Sequence, residues 1–157
     1  MTESVGNSES ILLVMGCPEV PVQNAIATYL GNAFRKAGER VIVAGNPSVI
    51  QLIKAADPEG YYLNDFVILD RAVEEIAEKK RSAKITIVFA HNDAGISYIA
   101  TMRHLLPETR LVAIVFGRNA EELAETIGFP CEKVVEKAVH NPVLLIRKVR
   151  GVFGWDA

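Results

Sequence analysis

The sequence predicts an α/β protein, a three-layer α/β/α sandwich around a mainly parallel sheet of about five strands. Short apolar runs alternate with segments of helical periodicity, which is typical of βαβ units. Runs such as Ile11–Met15 and Leu111–Phe116 are continuously apolar, which indicates strands covered by helices on both faces. The predicted sheet is therefore open and Rossmann-like.

The apolar runs place five strands along the chain: Ile11–Met15, Arg40–Ala44, Ile85–Phe89, Leu111–Phe116 and, more weakly, Glu132–Glu136. The clearest helix covers Pro18–Ala37, where apolar residues form one stripe at helical spacing, and Gly38 is suited to a left-handed stop. Further helices are predicted over Pro47–Ala56, Asp65–Lys80 and Ala94–Leu106, and after Asn119 and Asn141. Asp57–Leu63 is predicted to be a loop, or a short added strand around Tyr61–Leu63.

Length and composition indicate a single domain over residues 1–157, with residues 1–9 as a polar, flexible lead-in that lacks the basic start of a signal peptide. The net charge of −2 and the pI near 5.9 argue against nucleic acid as a partner. No apolar run reaches the roughly 20 residues that a membrane span needs. Two cysteines fit a reducing compartment, so we expect a cytoplasmic protein.

A short polar segment follows each predicted strand. Because the carboxyl ends of parallel strands meet at one edge of a sheet, where ligands bind, these segments predict the functional site. We call this edge the C-terminal edge. The candidate site residues are Gly16, Cys17, Asn46, His91, Asn92, Asp93, Arg118, His140 and Asn141.

Cys17 is the strongest single candidate for a functional residue. It precedes the predicted helix that begins at Pro18, and a helix N-terminus stabilises a thiolate. It is predicted to be a nucleophile or a redox thiol. The alternative is a small buried residue in a tight turn, since free cysteine is among the most buried types. Cys131 falls at the opposite edge and is expected to be structural.

His91 and His140 each stand in a His-Asn pair ahead of a predicted helix, at the same edge as Cys17. Either imidazole is a candidate general base for the thiol. Together with Cys17 they are also candidate ligands for a transition metal, although no tight local spacing supports this and we assign no metal. Asp93 is expected to be a helix cap or a base, and Glu19 lies in the first predicted helical turn.

The four asparagines Asn46, Asn92, Asn119 and Asn141 each head a predicted helix and are expected to be caps. Their helix N-termini and Arg118 predict a site for a small anionic molecule. Gly-x-Gly-x-x-Gly is absent after the first strand, and a phosphate-binding Gly-x-x-x-x-Gly-Lys-Ser/Thr is absent from the chain. Classical dinucleotide binding is therefore not indicated, and no cofactor is assigned.

Three strings of residues carry a resemblance. They are Leu13-Val14-Met15-Gly16-Cys17-Pro18-Glu19-Val20-Pro21, Val43-Ala44-Gly45-Asn46-Pro47 and Ala56-Asp57-Pro58-Glu59-Gly60-Tyr61-Tyr62. With these the chain resembles, over its full length, a small family of uncharacterised archaeal α/β proteins found mostly in methanogens. The resemblance implies a three-layer fold, a cytoplasmic archaeal setting and a role connected with methanogen metabolism. It assigns no catalytic residues.

Three functions follow from the sequence. The first is binding of a small anionic ligand at the C-terminal edge, with a thiol-based activity at Cys17. The second is a non-catalytic subunit or oligomeric interaction module. The apolar end Val152-Phe153-Gly154-Trp155 then forms a homodimer through Phe153–Trp155, unless it docks on its own core. The third is a protein that binds a transition metal.

Overall fold

The computed structural model describes residues 10–155, so the lead-in predicted over residues 1–9 lies outside the described residues. Strands and helices alternate throughout this range. The strands are β1 (Ile11–Val14), β2 (Val41–Gly45), β3 (Phe66–Ile68), β4 (Ile85–Ala90), β5 (Arg110–Val115) and β6 (Glu132–Val135). The helices are α1 (Val22–Lys36), α2 (Pro47–Ala56), α3 (Leu69–Ala77), α4 (Asp93–Leu105), α5 (Ala120–Glu125) and α6 (Val143–Phe153).

Within residues 10–155 the six strands form one parallel sheet in the order β3-β2-β1-β4-β5-β6. The longest pairing joins β4 to β5, from Ile85 opposite Arg110 to Ala90 opposite Val115. The order reverses between β1 and β4, which makes this junction the topological switch point of a doubly wound fold. The predicted Rossmann-like sheet is thus confirmed, with one strand more than expected.

The core consists of two layers of apolar side chains, one on each face of the sheet. On the face that carries Leu13, the sheet packs against α1, α2 and α6. On the face that carries Leu12, it packs against α3, α4 and α5. Every residue of β1 is buried, as expected for a strand with helices on both sides. The three-layer α/β/α sandwich is therefore confirmed.

The additional strand corrects the helix that was predicted over Asp65–Lys80. Residues Phe66–Ile68 form β3 at the edge of the sheet, paired with β2 from Val43 opposite Phe66, and α3 begins only at Leu69. An aromatic residue followed by two β-branched residues suits a pleated strand, and β2 offers them a free edge. The alternative strand around Tyr61–Leu63 is wrong, because that segment is a loop.

The first helix also begins later than predicted. Pro18 and Pro21 lie in a loop, and α1 starts at Val22. The N–H of Val22 donates to the carbonyl of Val139, in the segment after β6, at 2.9 Å. The predicted end of this helix before Gly38 is confirmed, since Gly38 has a left-handed φ of +80°.

Candidate functional site

A cavity of about 340 Å³ opens at the switch point, between the C-terminal ends of β1 to β4 and the first turns of α4. Most of its wall is apolar and includes Met15, Phe89 and Tyr98. The polar side chains that reach it are Cys17, Asn46, Asp70, His91 and Asn92. We call it the switch-point cavity. Ligand sites in open α/β folds occur in this position and have this composition.

Cys17 is an exposed thiol in the wall of this cavity. Asn46 places its Nδ2 group 3.3 Å from Cys17 Sγ, and its Oδ1 atom accepts a hydrogen bond from the N–H of Val49 at 2.9 Å. The same amide therefore caps α2 and donates to the thiol. The prediction that Cys17 stands at the N-terminus of its own following helix is wrong, because residues 18–21 form a turn and α1 begins only at Val22. Cys17 lies instead beside the capping residue of α2.

His91 turns inward at the end of β4. Only 6% of its side chain is exposed, and its Nε2 atom lies 3.4 Å from Glu19 Oε2. The Nδ2 group of Asn92 lies 3.5 Å from the same nitrogen. The imidazole also packs on the ring of Phe116, with centroids 5.5 Å apart. Glu19, expected in a helical turn, belongs to the loop before α1 and reaches across to this histidine.

Asn92 rather than Asp93 caps α4. Its Oδ1 atom accepts from the N–H of Gly95 at 3.1 Å, whereas Asp93 is the first residue of the helix. Asp93 lines a second, more polar crevice that His91 and Asn119 also border. The cap predicted at Asn119 is wrong, since its side chain makes no capping bond and the backbone turn at Gly117 leads into α5.

The structure separates the remaining predicted residues from the switch-point cavity. His140 and Asn141 lie after β6, at the same edge of the sheet, but line another crevice together with Glu136 and Leu144. Asn141 Oδ1 accepts from the N–H of Val143 at 3.0 Å, at the start of α6. Arg118 is exposed in the loop after β5 and does not line the switch-point cavity. The cavity therefore unites Gly16, Cys17, Asn46, His91 and Asn92 and leaves out Asp93, Arg118, His140 and Asn141.

Asp70 and Tyr98 are among the residues of the cavity wall that sequence reasoning missed. The sequence places Asp70 well inside a helix, whereas it is the second residue of α3, in the first helical turn after β3. The triplet Phe66-Val67-Ile68 is the signal that could have revealed this strand. Another missed residue, Gln23, is 1% exposed and donates from Nε2 to the carbonyl of Gly16 at 3.2 Å. It supports the loop that carries Cys17.

Backbone carbonyl groups of this chain bond to the N-terminus of the first helix, where dinucleotide-binding folds hold a pyrophosphate. In such folds the pyrophosphate lies at the N-terminus of the first helix. Here the N–H of Val22 donates to the carbonyl of Val139, and that of Gln23 donates to the carbonyl of Val20 at 3.1 Å. The first helix thus has fewer free N–H groups to offer a phosphate, in agreement with the missing glycine motif.

The charges around the cavity limit what it can hold. No Lys or Arg is among the described residues that line it, and Asp70 contributes a carboxylate. Within residues 10–155, no three His, Cys, Asp or Glu side chains are placed to hold a metal ion.

Cys131 packs beside the core at the other edge, where burial raises the pKa of its thiol. No helix in the described range is long and apolar enough to cross a membrane.

Fold and cavity together define a doubly wound parallel α/β protein with a ligand-sized opening at its switch point. Residues 12–152 match the family described as domain of unknown function DUF1890, and the chain belongs to that family. It is 33% identical over 150 residues to "Uncharacterized protein MJ0452" of Methanocaldococcus jannaschii, covering 91% of this chain and 96% of that protein. The predicted resemblance to archaeal methanogen proteins is thereby confirmed.

A solved structure supports the fold directly. The structure described as "Structure of MT0777" superposes with a TM-score of 0.80 at 37% sequence identity. The match covers 90% of this chain and 95% of the other. The doubly wound sheet is therefore shared with this relative.

Proposed function

We propose that the protein binds a small organic molecule in the switch-point cavity, with an apolar body against Met15, Phe89 and Tyr98. The observation that carries this proposal is the cavity itself, about 340 Å³ with an apolar wall and convergent polar groups at one end. Its volume lies at the small end of the range for ligand sites, about 300–1,000 Å³. A compact ring or short chain fits that space.

The polar end of the ligand is a single anionic group such as a carboxylate. The first N–H groups of α4 have no acceptor within their own helix and carry the positive end of its dipole. Ala94 belongs to this first turn and lines the cavity. Asp70 at the cavity and Asp93 at the same helix start disfavour more than one negative charge. These charges support a monocarboxylate over a nucleotide or a pyrophosphate.

Cys17 supplies the reactive group of this site. Its thiol is exposed at the polar end, beside Asn46. A bound molecule therefore lies next to a nucleophilic sulfur, which supports a thiol-based activity in addition to binding.

Titration of the ¹⁵N-labelled protein tests the ligand class. Benzoate, its neutral analogue benzyl alcohol and ADP serve as probes. We expect benzoate to shift the amide resonances of Cys17, Asn46 and Ala94 at lower concentration than benzyl alcohol. ADP should leave these resonances in place. Tighter binding of ADP than of benzoate would contradict the monoanion assignment.

A matched pair of variants tests whether the ligand binds in the switch-point cavity. Ala94 and Ala100 are both exposed on α4, but only Ala94 lines the cavity. Ala94→Trp fills the opening and should abolish the benzoate shifts, whereas Ala100→Trp should bind like the wild type. Equal binding by both variants would place the ligand elsewhere.

A further inference from the structure

We propose that Cys17 accepts an acyl group from a small activated ester or thioester, with His91 as its proton acceptor and Glu19 as the positioning residue for His91. This inference rests on the proposed function, because the acyl donor occupies the switch-point cavity. It adds a reaction class, a choice between the two histidines and a role for Glu19.

Asn46 contacts the sulfur of Cys17 at the wall of the cavity. The Oδ1 atom of Asn46 is engaged by the N–H of Val49, so the Nδ2 group must face Cys17 Sγ and donate to it. The thiol is also exposed to the cavity, where an acyl donor reaches it.

His91 is the imidazole that shares this cavity. Its side chain is more than nine-tenths buried in the cavity wall, and its Nδ1 atom has no hydrogen-bond partner in the part of the chain that the structure describes. A ring nitrogen without a partner in the wall of a cavity is available to a ligand or to a proton in transfer. His140 is exposed in a different crevice. The structure therefore selects His91 as the base.

Glu19 acts through His91 and does not line the cavity. Its Oε2 atom faces His91 Nε2 at 3.4 Å, on the ring nitrogen opposite to the free Nδ1. A carboxylate in this position holds the ring and stabilises the imidazolium that forms when Nδ1 takes a proton. Phe116 beneath the ring restricts its orientation further.

The reaction has two balanced steps. The proton of Cys17 Sγ passes to His91, and Sγ bonds to the carbonyl carbon of the donor. The bond from that carbon to the leaving oxygen or sulfur breaks, and the leaving group takes the electron pair and the proton from His91. Water then attacks the thioester carbonyl carbon and gives a proton to His91. The carbon–sulfur bond breaks, and Cys17 regains its proton.

The test uses 4-nitrophenyl acetate with the protein in a Cys131→Ser background. We measure nitrophenolate release against pH and locate the acetyl group by mass spectrometry. We expect one acetyl group on Cys17 and roughly hundredfold slower acylation in His91→Gln, the scale of a lost general base. His104→Gln, an exposed histidine on α4, should acylate at the wild-type rate. Acylation of Cys17 no faster than that of free cysteine would overturn the proposal.

Variants of Glu19 distinguish a positioning role toward His91 from a purely structural role. Its side chain is largely exposed, so these variants should fold even if His91→Gln does not. Glu19→Gln should lower kcat for acylation with little change in KM, because Glu19 contacts His91 and does not line the cavity. Glu19→Asp should restore part of the rate. An unchanged kcat in Glu19→Gln, or a loss of rate in His140→Gln equal to that in His91→Gln, would contradict these assignments.

Benzoate titration of the same proteins separates the two proposals. Benzoate binding without acylation of Cys17 would overturn acyl transfer and leave ligand binding in place. Absence of both would overturn both. Acylation that benzoate blocks competitively would support both.

Discussion

At the scale of single residues, Asp57 organises the loop between α2 and β3. Its carboxylate accepts hydrogen bonds from the N–H groups of Tyr61 at 2.9 Å, Tyr62 at 2.9 Å and Leu63 at 3.1 Å. Burial by itself would raise the pKa of Asp57, but the three bonds outweigh it and lower the pKa below its ordinary value. The charged form therefore stabilises the folded loop.

This shift predicts how acid affects stability. Because the folded pKa of Asp57 is depressed, its contribution is fully present above the ordinary carboxyl pKa and is lost as the pH falls through the lower folded value. Asp57→Ala should therefore lose less stability than the wild type across that window. Urea unfolding at a series of pH values measures this. Glu59→Ala, an exposed acid in the same loop, is the control and should follow the wild type; an identical slope in Asp57→Ala would contradict the assignment.

Capping residues show what the sequence reveals at this scale. Asn46 and Asn92 were predicted as caps and are confirmed, because each bonds an N–H three residues ahead, within the reach of a local pattern. The contact between His91 and Glu19 joins residues 72 positions apart. No local pattern encodes such a contact, so the sequence named both residues without pairing them.

At the scale of elements, the close approach of α4 to β4 shapes the switch-point cavity. A Cβ atom added to Gly95 would lie 2.6 Å from Ala90 Cα and 3.2 Å from the carbonyl oxygen of Phe89. Only glycine lets the first turn of α4 rest directly on the end of the strand. The cap at Asn92 and the wall at Ala94 take their positions from this contact.

Gly95→Ala should therefore destabilise the protein by about 1–3 kcal/mol through overpacking, despite the higher helix propensity of alanine. Ser97→Ala is the matched control, since Ser97 is exposed on the same helix. It should change the free energy of unfolding by no more than about 0.5 kcal/mol. Urea denaturation measures both. Equal stability of the two variants would show that α4 can move away from β4 at little cost.

The third strand shows why an element can be predicted with the wrong type. Residues Phe66–Ile68 are too few to show an alternating pattern, and helical periodicity continues through α3. Pairing with β2 decides the outcome, because it satisfies the backbone groups of this segment in the sheet. That pairing also brings Asp70 to the cavity.

At the scale of the whole molecule, the C-terminal rings join α6 to α1. Phe153 and Trp155 pack against Phe34 with ring centroids 5.4 Å and 5.1 Å away, and stack on each other at 4.9 Å. Arg110 lies over the Phe153 ring and donates to the carbonyl of Val152 at 3.0 Å. The apolar end of the chain thus docks on its own core, one of the two predicted arrangements.

Trp155→Ala should lower the free energy of unfolding by about 1–2 kcal/mol, because a half-buried aromatic cluster loses one of its rings. Urea denaturation measures the loss. A homodimer through the Phe153–Trp155 end stays a prediction, and light scattering on the same samples tests it. A dimeric wild type with a monomeric Trp155→Ala would assign the interface to these rings. Unchanged stability in the variant would contradict the docking described above.

The sequence by itself determined the α/β class, the positions of five strands, the caps at Asn46 and Asn92 and the lack of a dinucleotide motif. These are local patterns of period, propensity and capping, which a single segment displays. Only the tertiary structure decided the strand order, the edge strand β3 and the grouping of Cys17, Asn46 and His91 without His140. The physical reason is that strand pairing and cavity formation depend on contacts between distant segments, whose free energy no single segment contains.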